Sequence, residues 1–385
     1  MTDKRQKEIL ICTSALQVLS AKSAMDYDNI NNDSQKYVII CHPLLTNHSI
    51  KYINKISKKL NFLKPINLVD EMREMENEIN SLKNKYGIIN FFKITNLIYS
   101  IQQKYTAIIK NKISKIVGIP DTIYIRKNYK YLDTLFVSAF KNSHVIQIDD
   151  GWGDNLSKFW FIKEFNFYEL NVKLYSFIKR IILHFLFFIF HNSLLKDKKS
   201  LFFSNIKIKK KYSIVERREY INIKSQFFNN VQSLKSNISN LIGIKILILG
   251  TTIDKRLKYS ISDETQIYNK LIDKIKLSFE VGNNEILYKS HPRLNIDDWK
   301  YKKNNLNCKI LDYYNEDISE CFLSSPELKA VFSFGSSSLL HAHILKIKCY
   351  LVYFKHKLRH RSDNEKYLYI AKKLNMNIMY IDSVE

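Results

Sequence analysis

Short apolar runs alternate with stretches of helical spacing in both halves of this chain. Residues 8–13 (EILICT) read as a strand, and 15–25 follow with apolar residues at helical intervals. An Asn- and Asp-rich loop at 26–35 leads to a second strand at 36–41 (KYVIIC). Helices are predicted at 48–60, 71–85 and 89–117, the last ended by Gly118 and Pro120. A strand at 121–127, a helix at 131–140 and the apolar run Val145 to Ile148 complete the first half. The second half opens on a strong strand at 244–252 (IKILILGTT) and a helix at 264–279. Strands at 285–290, 308–313 and 329–335 follow, then a helix starting within SSSLLHAHIL. A strand at 348–354, a helix at 365–375 and a strand at 377–381 close the chain. Continuous apolar strands alternating with helices are the pattern of parallel, doubly wound sheets.

Residues 156–240 break the pattern. They are aromatic and basic, with weak strand signals and a polar tail, SQFFNNVQSLKSNISN. The predicted organisation is therefore α/β, with two Rossmann-like domains facing a central cleft. The N-terminal domain takes residues 1–155, an interdomain segment 156–242, and the C-terminal domain 243–385.

Composition refines this picture. The 385 residues suffice for two cores, and 8 glycines and 5 prolines are too few for a turn-rich β-sandwich. The net charge of +24 creates a field that draws anionic lipid, glycans, nucleotides or nucleic acid. No nucleic-acid-binding motif is present, so no nucleic-acid partner is expected. The five cysteines form no CxxC pair, which argues against a zinc site and for a reducing compartment. No signal peptide is read at the N-terminus, and the protein is expected in the cytoplasm. The apolar stretch IILHFLFFIF, 181–190, is too short to span a bilayer. With basic residues on both sides it reads either as an interfacial segment on the anionic inner membrane or as a buried interdomain helix.

Three strand ends carry candidate chemistry. The run Val145–Ile148 ends in Asp149, Asp150 and Gly151, a carboxylate pair before a turn-permitting glycine. Either acid can serve as a helix cap, or as a general base at the mouth of a cleft. His291 and Pro292 follow the strand at 285–290, where an imidazole can donate to a phosphate and Lys289 and Arg293 can add charge. His42-Pro43 is a rival pair after the second strand. Gly335 ends a third strand, and Ser336, Ser337 and Ser338 open a helix. Serine hydroxyls and free N–H groups at a helix start bind anions, although ordinary capping needs only one of them. Gly250 and Thr251, also at a strand end, can join the same pocket. The DxD of Asp26-Tyr27-Asp28 has the form of a metal-binding motif but stands apart in its Asn-rich loop. No GxGxxG, Walker or GxSxG motif is present.

In this order an acidic pair with glycine, a His-Pro and a serine run resemble the motifs of the bacterial sialyltransferases. That group includes the lipooligosaccharide sialyltransferases and the capsular polysialyltransferases. The segment CTSALQVL, 12–19, is similar to the opening of the lipooligosaccharide branch. The resemblance implies a GT-B-like fold, with CMP-sialic acid held by the C-terminal domain and a glycan acceptor by the N-terminal one. It implies inverting transfer without metal or other cofactor. Asp149 would be the general base, with Asp150 positioning it or the turn. His291 would bond the departing phosphate, with the serines on its other side. Two other readings stay open: a related glycosyltransferase with another nucleotide sugar, and a non-catalytic basic protein that binds membrane or nucleic acid.

Overall fold

The computed structural model describes residues 5–28, 34–86, 91–126, 131–148, 208–214, 216, 219–234, 242–251, 259–292, 294–313, 315, 318–323, 325–354 and 363–381. These residues form two compact units. The first takes the described residues through Ile148 and from Ile208 to Phe227, and the second those from Phe228 onward.

The first unit runs β1 (Lys7–Cys12), α1 (Ala15–Tyr27), β2 (Gln35–Ile40), α2 (Asn47–Lys59), β3 (Ile66–Asn67), α3 (Val69–Tyr86), α4 (Phe91–Ile116), β4 (Thr122–Ile125), α5 (Tyr131–Ala139), β5 (His144–Ile148), β6 (Ile208–Ser213) and β7 (Ile221–Asn222). Its sheet is ordered β3-β2-β1-β4-β5-β6-β7, with every described pairing parallel. Successive side chains of a strand face opposite sides. Accordingly Ile9, Ile11, Ile39, Ile123 and Ile125 pack with Met72, Tyr105, Ile109 and Phe136 of α3, α4 and α5. The alternate residues Leu10, Cys12, Val38 and Ile40 are also fully buried, on the side opposite that cluster.

Part of the stretch expected to be a connector belongs to this sheet. Residues 208–213 (IKKKYS) form β6 against β5, and β7 extends it. The lysines hid the strand, because only Tyr212 and Ser213 of the six are buried. The polar tail that begins there is helical as well, as α6 (Lys224–Ser233). The segment 181–190 lies outside the described residues, and none of the described helices is long and apolar enough to cross a membrane.

The second unit runs β8 (Ile246–Leu249), α7 (Ile261–Phe279), β9 (Ile286–Lys289), α8 (Ile296–Asn305), β10 (Lys309–Ile310), α9 (Ser319–Phe322), β11 (Ala330–Ser333), α10 (Ser337–Ile344), β12 (Cys349–Phe354), α11 (Asp363–Lys373) and β13 (Asn377–Ile381). The sheet order is β10-β9-β8-β11-β12-β13, again all parallel. Ile246, Ile248, Tyr288, Phe332 and Phe334 pack against Ile267, Tyr268, Leu271 and Ile275 of α7. Helix α7 starts with a capping box, in which Ser260 accepts from the Asp263 N–H and Asp263 accepts from that of Ser260.

The order of this sheet fixes where a ligand can sit. The chain leaves β8 toward β9 and β10 and then returns to place β11 on the other side of β8. Open α/β sheets bind ligands beyond the carboxyl ends of the strands at such a reversal.

Candidate active site

At the carboxyl end of β8, the chain turns through Gly250 and Thr251. Neighbouring strands lie about 4.8 Å apart, so the ends of β9, β8 and β11 span about 10 Å. His291 therefore follows β9, Gly250-Thr251 follows β8, and Gly335-Ser336 follows β11, all along one edge of one sheet. The structure thus brings together three of the predicted elements: Gly250-Thr251, His291-Pro292, and the serine run with its glycine. Asp149, Asp150 and Gly151, like Arg293, lie outside the described residues; β5 delivers the chain as far as Ile148.

The turn after β11 is built on one hydroxyl. Ser333 Oγ donates to the Leu249 carbonyl of β8 (3.1 Å) and accepts the N–H groups of Gly335 (3.2 Å) and Ser336 (3.0 Å). Gly335 has φ of +146°, and a Cβ there would lie 2.3 Å from the Tyr367 ring, so glycine alone fits. Ser336 is the N-cap of α10, its Oγ accepting the Ser338 N–H at 3.3 Å. Ser337 is half-buried, whereas Ser338 is buried.

Ser338 faces a buried acid. That acid is Glu320 of α9, and His341 Nδ1 lies 2.8 Å from Glu320 Oε1. The side chains of Glu320 and His341 are 4% and 2% exposed. Burial pushes the Glu320 carboxyl upward, but the hydrogen bond and charge of His341 outweigh it and hold the group below its ordinary range.

A second buried network stands behind Gly250-Thr251. The Thr251 N–H donates to Tyr268 Oη at 3.0 Å. Burial, with Tyr288 beside it, drives the Tyr268 phenol far above its usual pKa, so it stays a neutral acceptor. Lys302 Nζ donates to Tyr288 Oη at 2.9 Å and pairs with Glu264, both side chains being 1% exposed. The same ammonium lies 4.9 Å and 5.2 Å from the ring centres of Tyr268 and Tyr288. Tyr288 in turn dictates glycine at 250, because a Cβ there would sit 2.5 Å from its Oη and 3.0 Å from the Lys289 carbonyl. Gly250→Ala is expected to destabilise the second unit by about 1–3 kcal/mol through overpacking, read as a lower urea midpoint.

Two hydroxyls at this edge are conspicuous. Thr251 Oγ1 and Ser290 Oγ are buried and have no hydrogen-bond partner among the described residues. Buried polar groups are normally satisfied, and both of these follow strand ends at one edge of the sheet. Ser290, Ser333, Glu320, His341 and Tyr268 escaped the sequence reading. Only Ser290 had a signal, as the residue before the His-Pro.

The rival elements have structural roles. His42 follows β2 in the first unit, and its Nδ1 accepts the Leu44 N–H at 3.1 Å, closing a turn before Leu45. Asp26 pairs with Lys22 in α1, and Asp28 pairs with Lys210 of β6 at 2.8 Å. The segment 12–19 lies at the first unit's own reversal point, between β1 and β4. There Gln17 Oε1 accepts the Thr13 N–H (2.6 Å) and hydroxyl (3.1 Å), and Arg126 Nη1 reaches Thr13 Oγ1 at 3.4 Å.

A family model described as alpha-2,8-polysialyltransferase matches residues 8–352. The chain belongs to that family. The match covers both α/β units and all three motif regions, and membership makes the protein a glycosyltransferase of the sialyltransferase type. No curated protein matches the chain. Solved structures with a distant likeness include a UDP-N-acetylglucosamine 2-epimerase of Listeria monocytogenes (11% identity, 90% of this chain and 79% of that one covered, TM-score 0.47). The E. coli heptosyltransferase WaaC with ADP-2-deoxy-2-fluoro heptose (10%, 98% and 93%, TM-score 0.42) and the calicheamicin glycosyltransferase CalG4 (7%, 98% and 86%, TM-score 0.43) are similar cases. These likenesses are too distant to bear on donor or acceptor.

Proposed function

We propose that this polysialyltransferase-family protein transfers sialic acid from CMP-sialic acid to a cell-surface glycan, lipooligosaccharide or capsular polysaccharide, with inversion and without a metal ion. The observation that carries the reading is the cluster of anion-binding groups along one sheet edge. His291, the orphaned hydroxyls of Thr251 and Ser290, and the first turn of α10 all stand at the ends of three adjacent strands. CMP departs as a phosphate monoester, and its growing charge needs donors already in position. An imidazole and hydroxyls meet that need.

In this mechanism His291 donates to the phosphate as the bond to the sugar breaks. Asp149 removes the proton of the acceptor hydroxyl as the new bond forms, a role that rests on family resemblance. Metal independence is supported by Asp26 and Asp28, whose carboxylates are engaged with lysines. The charge of +24 suits a polyanionic acceptor or the anionic inner-membrane surface, with the protein cytoplasmic and peripheral there.

A thermal-shift series with CMP, UDP, GDP and single-stranded RNA tests the donor. CMP is expected to stabilise most, by about 2.7 kcal/mol at a hundred times its dissociation constant. Preference for UDP or GDP would assign another nucleotide sugar, and preference for RNA would overturn the enzyme reading. Transfer is expected to proceed unchanged in EDTA; loss of activity restored by Mn²⁺ would refute metal independence.

A further inference from the structure

Resting on the nucleotide reading above, we propose that Tyr268 is a positioning residue of the active site, whose hydroxyl fixes the turn after β8 and so aims the Thr251 side chain at the nucleotide. The ladder between β8 and β9 ends one residue earlier, where the Gly250 N–H donates to the Lys289 carbonyl at 2.8 Å. Thr251 is the first residue past it, and its N–H goes to Tyr268 Oη at 3.0 Å, on helix α7 and 17 positions along the chain. A backbone N–H that has left the ladder needs another acceptor, and a side chain supplies it here. Threonine is stiff at χ1, so a fixed backbone at 251 also fixes where its hydroxyl points. That hydroxyl is buried and has no hydrogen-bond partner among the described residues.

Packing alone does not call for a phenol at 268. The ring stands edge-on to Tyr288, with centres 4.9 Å apart at 79°, and to Phe334, at 5.2 Å and 89°. Phenylalanine makes such contacts equally well. Tyr288 lies on β9 before the His291 turn, and Phe334 directly precedes Gly335. The ring of Tyr268 therefore abuts the residues that lead into the other two strand-end turns. The hydroxyl is what packing leaves unexplained, and it goes to Thr251.

Tyr268 is itself held in place. The Lys302 ammonium lies over the rings of both Tyr268 and Tyr288. It also pairs with Glu264, which stands one turn before Tyr268 on the same face of α7. A ring gripped in this way reaches the turn from a fixed point. A turn ordered before the ligand arrives lowers the cost of binding.

Isothermal titration of the full chain with CMP, in a double-mutant cycle at positions 251 and 268, tests the assignment. Thr251→Ala removes the hydroxyl and should weaken CMP about tenfold, the size of one hydrogen bond. Tyr268→Phe keeps the ring and its contacts, is expected to fold, and should weaken CMP by about three- to tenfold. The double variant should bind within about twofold of Thr251→Ala, because Tyr268 acts through that hydroxyl. Ile275→Val, a change at a fully buried position two turns further along α7, should lower the urea midpoint comparably and leave CMP affinity unaltered. Wild-type affinity in Tyr268→Phe would overturn the proposal. So would losses at 251 and 268 that simply add, or an equal loss in Ile275→Val. A wild type that does not bind CMP would overturn the nucleotide reading itself, and this inference with it; a wild type that binds CMP beside an unaffected Tyr268→Phe sinks the positioning role alone.

Discussion

His291→Ala is expected to lower sialyl transfer about 100- to 1,000-fold, the usual cost of removing one donor to a developing oxyanion. The loss should fall on kcat, with the donor KM nearly unchanged. On the proposed mechanism the imidazole bonds a phosphate that carries one negative charge in the bound donor and gains a second as CMP departs, so it would stabilise the transition state more than the ground state. The variant should fold, because His291 is half-buried in a turn after β9 and its carbonyl, retained in alanine, accepts the Leu294 N–H. His42→Ala supplies the contrast. Its ring nitrogen closes a turn in the first unit, and its removal should change transfer by no more than a few-fold. Full activity in His291→Ala would sink the assignment; a large loss in His42→Ala with an intact fold would transfer the role to His42.

Lys302→Met carries the largest expected cost to stability, about 3–5 kcal/mol. The ammonium is buried with Glu264, and its removal strands a carboxylate among Tyr268, Tyr288 and aliphatic side chains. The second unit should then unfold at a clearly lower urea concentration. The double variant Lys302→Met/Glu264→Leu should recover most of the loss, because replacing both partners removes the unpaired charge. If Lys302→Met alone is neutral, the pair has no structural weight. If the double variant stays as unstable as the single one, the hydrogen bond to Tyr288, and not the ion pair, is what matters. In that case the Gly250 turn, built against the Tyr288 hydroxyl, should weaken with it.

Most of the strands were legible because their side chains are buried on both faces. Runs such as Ile246–Leu249 and Ala330–Ser333 are buried at every position, and such runs admit few readings besides a central parallel strand. The misses share a different cause. Strand β6 carries its lysines on a partly exposed surface, and β3 and β7 are two residues long. Helix α8, IDDWKYKKNN, buries only Trp299 and Lys302, so no apolar stripe announced it. Its cap was nonetheless present in the sequence, since Asn295 accepts the Asp298 N–H.

The site was legible in part for a similar reason. Glycine, proline and serine at strand ends reflect local backbone needs, and local needs show in local sequence. The fate of each serine is a tertiary matter. Glu320 and His341 are 21 positions apart, on two different helices, and nothing in either neighbourhood marks them as partners. The Lys302–Glu264 pair spans 38 positions and was equally invisible. A glutamate in a short polar stretch reads as surface until the fold buries it.

The pairing of β8 with β11 joins residues 84 positions apart through the bond from Ser333 to the Leu249 carbonyl. Such non-local pairing is slow to form, whereas β8 and β9 are joined by a nearer crossover. During synthesis, then, β8 emerges and pairs on one side long before its other partner exists. Until β11 arrives, a fully apolar strand has an open edge, the kind of surface that pairs with another chain. The same hydroxyl that organises the turn after β11 also bonds across to that edge. A nascent chain stalled before residue 330 therefore has neither the site nor protection from aggregation, and it acquires both in one step.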